Sequence, residues 1–340
     1  MVNPEHLIEE AGLAVLFVLA FANGANDVGK SVVSLMVGPG TTGFQPSRRP
    51  LLWGGLFSGI GSISAILISG RLFSVFTPQK ILGTAPDSAF VLAVLIGAMI
   101  WVLLATLVRL PVSTTHAIFG AILLQGIVLF GVSSLAWSFV AIRVILPLAG
   151  GPLAALIGIY LFERLRKLTK LAKQPQAAQQ ENPKLSGVSH WGSAAATAYA
   201  RGVNDAPKMA VLGAFFIAAN QAYSLDVSYS IVAVAVVIGS LVLGHRVART
   251  LSARVVPLDH GQRLRAGVVT AALVSAGAYL GAPLSTTHVH AGTTAGVSGL
   301  KETIRSTLRG MILPWLVTLP AAGLLASAVA ILGPRILSLV

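Results

Sequence analysis

Two different polar motifs each occur twice in this chain, in the same order and at nearly the same spacing. N-G-A-N-D-V-G-K at residues 23–30 returns as R-G-V-N-D-A-P-K at 201–208, which sets Asp27 and Asp205 178 residues apart. P-V-S-T-T-H at 111–116 returns as P-L-S-T-T-H at 283–288, so that His116 follows Asp27 by 89 residues and His288 follows Asp205 by 83. A chain duplicated in this way folds as two copies of one unit. In a membrane protein such duplication points to a transporter whose site lies where the copies meet.

The membrane reading comes from what surrounds the motifs. Of 340 residues 55% are hydrophobic and only 10% charged, with a mean hydropathy of +0.81, so too few polar residues remain to cover a soluble surface. Stretches near 51–70, 89–109, 135–161, 228–244, 266–282 and 311–333 each approach the roughly 20 residues that a helix needs to cross a bilayer core. Between them lie shorter or broken apolar stretches, 7–22 with 28–37, 113–131, 192–200 with 209–220, and 284–299, and these carry every repeated motif. The net charge of +13 does not indicate nucleic acid, because the basic residues sit in the gaps between apolar segments. The first ten residues hold no Lys or Arg, so no cleaved signal peptide is expected, and the absence of cysteine removes disulfides and thiolates from consideration.

Residues 163–190 form the one long polar stretch, a linker between a first repeat, 1–162, and a second, 191–340. The positive-inside rule makes the linker cytoplasmic, together with the gaps that hold Arg48 and Arg49, Arg246 to Arg265, and Lys301 to Arg309. Arg71 and Lys80 are the exceptions. Counting each broken stretch as one crossing gives five segments per half, an odd number, so the halves are expected to be inverted, with both termini outside. The expected fold is therefore an all-α polytopic, multi-pass protein of the cell inner or plasma membrane, embedded in the lipid bilayer. It has two inverted repeats of about five hydrophobic segments, with broken or re-entrant helices meeting near the midplane. The run H-R-V-A-R-T-L-S-A-R at 245–254 reads either as an amphipathic interfacial helix or as a charged loop. Gly55 and Gly59 offer a small-residue face for a second subunit, hence a homodimer, or for a helix of the same chain.

An ionised Asp inside a membrane costs roughly 2.5 to 3.5 kcal/mol at a helix centre, which makes Asp27 and Asp205 candidates for function. Each follows an Asn (Asn26, Asn204) and stands near Gly, residues that can unwind a helix and free its carbonyls, and such an oxygen set suits Na⁺ or H⁺. The competing reading is that Asn-Asp only caps a half-helix. In the second motif Ser113, Thr114, Thr115, Ser285, Thr286 and Thr287 place hydroxyls and backbone N–H groups at two helix starts, the chemistry of anion binding. One such run alone is more often a cap; the pair favours the anion. His116 and His288 are proton or anion contacts or packing residues. Among the other polar residues, His290 ranks lower, and Gln125, Thr293 and Thr294 are substrate contacts or interhelical hydrogen-bonders. Lys30 and Lys208 lie three residues after an Asp, so each either pairs with that carboxylate or faces the anion.

These residues closely resemble the signatures of the inorganic phosphate transporter (PiT) family of phosphate/sulfate permeases. N-G-A-N-D pairs with G-V-N-D-A-P-K, P-V-S-T-T-H pairs with P-L-S-T-T-H, and the order and duplication match across essentially the whole chain. The resemblance implies inverted repeats and phosphate uptake coupled to Na⁺ or H⁺, with some relatives carrying sulfate. It also implies that Asn26, Asp27, Asn204 and Asp205 line cation sites, Na⁺ at Asp27 and Asp205 among them, and that the two S-T-T runs bind the anion. Two residues depart from the pattern: Lys30, where many members have a small residue, and Arg201, where many have His.

The resulting expectation is secondary transport of inorganic phosphate with no further cofactor. Sulfate or another tetrahedral oxyanion is the alternative, and an anion channel a more remote one. Hydrogen phosphate can donate a proton to a carboxylate, whereas sulfate at neutral pH only accepts hydrogen bonds, so the aspartates favour phosphate. An enzyme is not expected: the chain has no H-E-x-x-H, no G-x-S-x-G and no phosphate-binding loop of the G-x-x-x-x-G-K-[ST] type.

Overall fold

The computed structural model describes residues 4–36, 47–168, 183–219, 224–254, 258, 260–298 and 313–337. Their regular structure is helical throughout. The first half holds α1 (Pro4–Met36), α2 (Arg48–Ile68), the short α3 (Gly70–Val75) and α4 (Pro78–Leu82), α5 (Ser88–Leu107), α6 (Thr114–Phe130) and α7 (Trp137–Leu168). The second half holds α8 (Pro183–Ala219), α9 (Leu225–Arg254), α10 (His260–Leu280), α11 (Thr286–Ser298) and α12 (Leu313–Leu337). Among the described residues, six helices are long and apolar enough to cross a membrane: α1, α2, α5, α7, α9 and α12. The stretch at 266–282 is helical too, within α10, but that helix opens on His260, Arg263 and Arg265 and is less apolar than expected. At the shorter end, α6 with 17 residues and α11 with 13 reach only about 20–25 Å at 1.5 Å per residue.

Both Asn-Asp motifs lie inside unbroken helices, α1 of 33 residues and α8 of 37, which corrects the expectation that these segments would be broken. The motif glycines serve close approach instead of unwinding. A Cβ on Gly24 would collide with the Val236 backbone of α9, and one on Gly202 with the Ser58 carbonyl of α2. Pro207 should also disturb α8, since it cannot donate to the Val203 carbonyl one turn back. Ser69 supplies the missing donor, its Oγ standing 2.8 Å from that carbonyl. The Arg-rich run at 245–254 likewise differs from both expectations: it simply continues α9. Helix also occupies both ends of the expected linker, up to Leu168 and from Pro183, while 169–182 and the Lys301 to Arg309 gap fall outside the described residues.

Contacts between helices come in exchanged pairs. α1 packs on α9 and α2 on α8; α6 packs on α12 and α11 on α7; α1 packs on α5 and α8 on α10. Each pair maps onto the other when the halves are swapped, as a two-fold relation requires. Gly24 and Gly29 of α1 meet Val236 and Ala248 of α9 in that order, so the two helices run in the same direction. Gly55 and Gly59 face Ser240 and Val237 of α9, so this small-residue face is filled within the chain.

Contacts at the helix ends define two faces. On one, Arg265 pairs with Glu163 at 2.5 Å, Arg246 donates to the Leu107 carbonyl at 3.1 Å and Trp53 donates to the Trp191 carbonyl at 3.0 Å. On the other, Arg71 lies over the Tyr279 ring, Phe90 stacks on Phe130 and Ala136 N–H bonds the Ile81 carbonyl. The first face also carries Arg48, Arg49, Arg109, Arg164, Arg166 and Arg249, whereas the second has Arg71, Lys80 and Arg143.

α5 and α10 end alike, each on a left-handed residue just before the P-x-S-T-T motif: Arg109 at φ 65° and Gly281 at φ 76°. In both, the next residue's N–H bonds five residues back, Leu110 to Ala105 and Ala282 to Gly277, a Schellman turn. Glycine suits this conformation and arginine does not, by about 1–2 kcal/mol. Arg109→Gly is therefore expected to raise the thermal unfolding midpoint of the purified protein. Gly281→Ala is expected to lower it, because its Cβ would also sit 2.9 Å from that of Arg71. Midpoints moving together would contradict the asymmetry.

Candidate functional site

The two S-T-T runs meet. Ser113 caps α6, its Oγ accepting from His116 N–H at 3.4 Å, and Ser285 does the same for His288 N–H at 3.4 Å. Ser285 Oγ then donates to Ser113 Oγ at 2.9 Å, so the N-termini of α6 and α11 face one another across the halves. Capping and gathering are thus both present, with Ser as the cap, Thr115, Thr286 and Thr287 turned toward charged side chains and Thr114 toward Asn23.

Asn26 fastens the extended segment before α6 onto α1. Its Nδ2 donates to Thr106 Oγ1 at 3.0 Å and to the Leu110 carbonyl at 2.9 Å, while its Oδ1 accepts from Val112 N–H at 3.0 Å. Asn204 makes the shorter counterpart, donating to the Leu284 carbonyl at 3.0 Å and to Asp205 Oδ1 at 2.9 Å.

The lysines follow one pattern in both halves. Lys30 Nζ bonds Asp27 Oδ1, the Val112 carbonyl at 2.9 Å and Thr287 Oγ1 at 2.5 Å. Lys208 Nζ bonds Asp205 Oδ1 at 3.1 Å, the Leu284 carbonyl at 3.2 Å and Thr115 Oγ1 at 2.7 Å. Each ammonium therefore spends its three N–H donors on its own aspartate, the carbonyl just before its own S-T-T run, and the last threonine of the other half's run. Of the two readings for these lysines, pairing with Asp is the one the structure shows. A hydroxyl that accepts from an ammonium keeps its hydrogen to donate, and Thr114 is in the same position, accepting from Asn23 Nδ2 at 2.8 Å.

One break in the symmetry changes the charge around an aspartate. Arg201 stands where the first half has Asn23, and it reaches across to Asp27: Nη2 pairs with Oδ2, and Nη1 bonds the Asp27 carbonyl and, at 3.2 Å, Ser31 Oγ. Thr286 Oγ1 adds a contact to Oδ2 at 3.3 Å. Asp27 thus faces two cations and Asp205 one. Asp27, Lys30, Arg201, Asp205 and Lys208 are each at most 6% exposed. Three positive and two negative groups leave the cluster a net charge of +1.

His116 and His288 touch edge to face with ring centroids 4.5 Å apart, and His116 Nδ1 lies 2.9 Å from Ser113 Oγ. Both border a cavity of about 230 Å³ that also reaches Phe119 and Pro152. Gln125 and Thr293 bond other helices, at the Phe90 carbonyl (3.2 Å) and Thr270 Oγ1 (2.8 Å). Thr294 and His290 instead line a cavity of about 60 Å³ that runs from Lys30 and Ser31 to Ser252 and Arg263, toward the arginine-rich face. Asn23, Thr106 and the cross-half reach of Arg201 escape sequence reasoning; only the departure of Arg201 from the expected histidine marked it.

Comparison with known proteins fits this geometry. Residues 23–326 match the Phosphate transporter family. The chain belongs to that family. Among its relatives, a Mycobacterium bovis protein named "Probable low-affinity inorganic phosphate transporter" is 27% identical over 319 residues, spanning 90% of this chain and 73% of that protein. A Pyrococcus furiosus protein named as a phosphate permease is 26% identical, spanning 92% of this chain and 93% of its own. A solved structure titled "The sodium-dependent phosphate transporter" superposes with a TM-score of 0.80 over 98% of this chain and 100% of that one; at 20% identity it speaks to the fold alone. The family's named members are transporters and permeases, not enzymes.

Asn26→Leu would remove three hydrogen bonds at once and strand the Leu110 carbonyl and the Val112 N–H, each at about 1–3 kcal/mol. Asn204→Leu should cost less, since one of its two bonds is to the neighbouring Asp205. Thermal unfolding of both variants in detergent, with Asn26→Leu clearly the less stable, is the expected result.

Proposed function

We propose that this protein is a secondary carrier of inorganic phosphate, moving it with a cation, Na⁺ or H⁺. The observation that carries the reading is the meeting of the α6 and α11 N-termini at Ser113 and Ser285, beside a buried cluster of net charge +1. Helix N-termini and hydroxyl donors favour an oxyanion, and the excess positive charge favours it further. On this reading Ser113, Thr114, Thr115, Ser285, Thr286 and Thr287 receive the phosphate, with the free hydroxyl hydrogens of Thr114 and Thr115 the first to turn toward it. Lys30 and Lys208 act through charge and by aligning threonines, because their own donors are spent.

The halves are read as inverted repeats, 1–162 and 191–340 around the 163–190 linker. Supporting this, α1 runs parallel to α9, the partner of α8 in the next hairpin, so α1 and α8 oppose one another. The arginine-rich face is read as cytoplasmic and the termini as outside. The cavity from Lys30 to Arg263 then leads inward and gives the anion a route of release.

Purified protein in liposomes is expected to take up labelled phosphate in preference to sulfate, and to be stimulated by phosphate on the far side, as a carrier is and a channel is not. Asp205→Asn, which keeps the side chain's shape and removes its charge, should abolish uptake driven by a cation gradient. Sulfate uptake equal to or faster than phosphate uptake would replace the substrate, and full gradient-driven uptake by Asp205→Asn would return that residue to a structural role.

A further inference from the structure

Three of the roughly four acceptor positions of the Asp27 carboxylate are already taken, two of them by cations. Oδ1 accepts from Lys30, Oδ2 from Arg201 and Thr286, and the Asp27 carbonyl itself accepts from Arg201. The partners of Lys30 are all oxygens: a carboxylate, the backbone carbonyl of Val112 and the hydroxyl of Thr287. That is the ligand set a small monovalent cation takes in a transporter, and here an ammonium on a tether already holds it. Asp205 differs. It pairs with one ammonium, that of Lys208 at 3.1 Å, whose oxygen partners match those of Lys30, it receives no guanidinium, and it borders a small cavity shared with Asn23, Ser58, Ser62 and Arg201.

We propose that Lys30 and Arg201 are resident cations that replace a transported metal cation at Asp27, so that the first half of the protein binds no Na⁺ and any coupling cation enters through the Asp205 half alone. The proposal rests on the carrier reading above and deepens it. Physically, a tethered charge needs no recruitment from solution, whereas Na⁺ entering here would have to displace two buried cations from the carboxylate they pair with, and breaking a buried ion pair costs several kcal/mol. The fixed charges also keep the anion site positive in the absence of any salt cation.

The test is retention of labelled Na⁺ by full-length purified protein, with phosphate/phosphate exchange in liposomes run in parallel. Wild type is expected to retain no Na⁺ that Asp27→Asn removes. The double variant Lys30→Ala, Arg201→His uncovers the carboxylate and is expected to retain Na⁺ at least roughly tenfold more tightly, about 1.4 kcal/mol, with the gain cancelled by Asp27→Asn. If the double variant does not purify as a single species, Lys30→Met, which keeps Arg201 and the side chain's bulk, should show a smaller gain of the same kind. Wild-type Na⁺ retention lost in a folded Asp27→Asn variant would overturn the proposal. So would a double variant, shown to be folded by its thermal unfolding transition, that binds Na⁺ no better than wild type. Absence of phosphate exchange in wild type would count against the carrier reading and leave the Na⁺ result to stand by itself.

Discussion

Everything near the centre of this protein hangs on two buried ammonium groups, each tied to its own half through an aspartate and to the other half through a threonine. Removing an ion pair from water costs several kcal/mol per ion, which only good geometry and full hydrogen bonding repay, and breaking one partner away costs about 3–5 kcal/mol. Lys30 and Lys208 satisfy that condition with all three donors used. The consequence is positional. With Thr287 bound to Lys30 and Thr115 bound to Lys208, the starts of α11 and α6 are held against α1 and α8, and Ser285 comes to rest on Ser113.

The same arrangement explains why Lys30 and Arg201 belong together. Lys30 and Arg201 are 171 residues apart in sequence and come from different halves, yet both end on Asp27. A lone lysine there would neutralise the carboxylate; the added guanidinium carries the cluster past neutrality and gives an otherwise two-fold site a distinct side. The symmetric elements, the caps and the lysine contacts, build the place where the helix ends meet. The asymmetric one sets its charge.

Much of this was legible in the chain. The doubled motifs foreshadowed the exchanged helix pairings, the i,i+3 spacing of Asp27 with Lys30 and Asp205 with Lys208 allowed the ion pairs as one of two readings, and S-T-T after proline marked two helix starts. What stayed hidden has a physical reason in each case. Glycine serves equally to break a helix and to let a neighbour come close, and nothing local distinguishes Gly24 against Val236 from a true interruption. The run at 245–254 looks like a surface element because its charges recur along one stretch, but the helix that begins at Leu225 simply carries on through it. The reach of Arg201 to Asp27 and of Ser69 to the Val203 carbonyl depends on tertiary placement over 174 and 134 residues, which no periodicity encodes.

The backbone-to-backbone seams have a consequence for motion. Where Gly24 and Gly239 join α1 to α9, and Gly61 and Gly202 join α2 to α8, main chain touches main chain, with no side-chain layer between to slide or repack. These four helices form a stiff keel. The remaining long helices fall into two outer groups, α5 and α6 with α12, and α10 and α11 with α7, each assembled from both halves. A keel of this kind can open its centre to one side or the other only if those two groups rock against it, each carrying one S-T-T start with it.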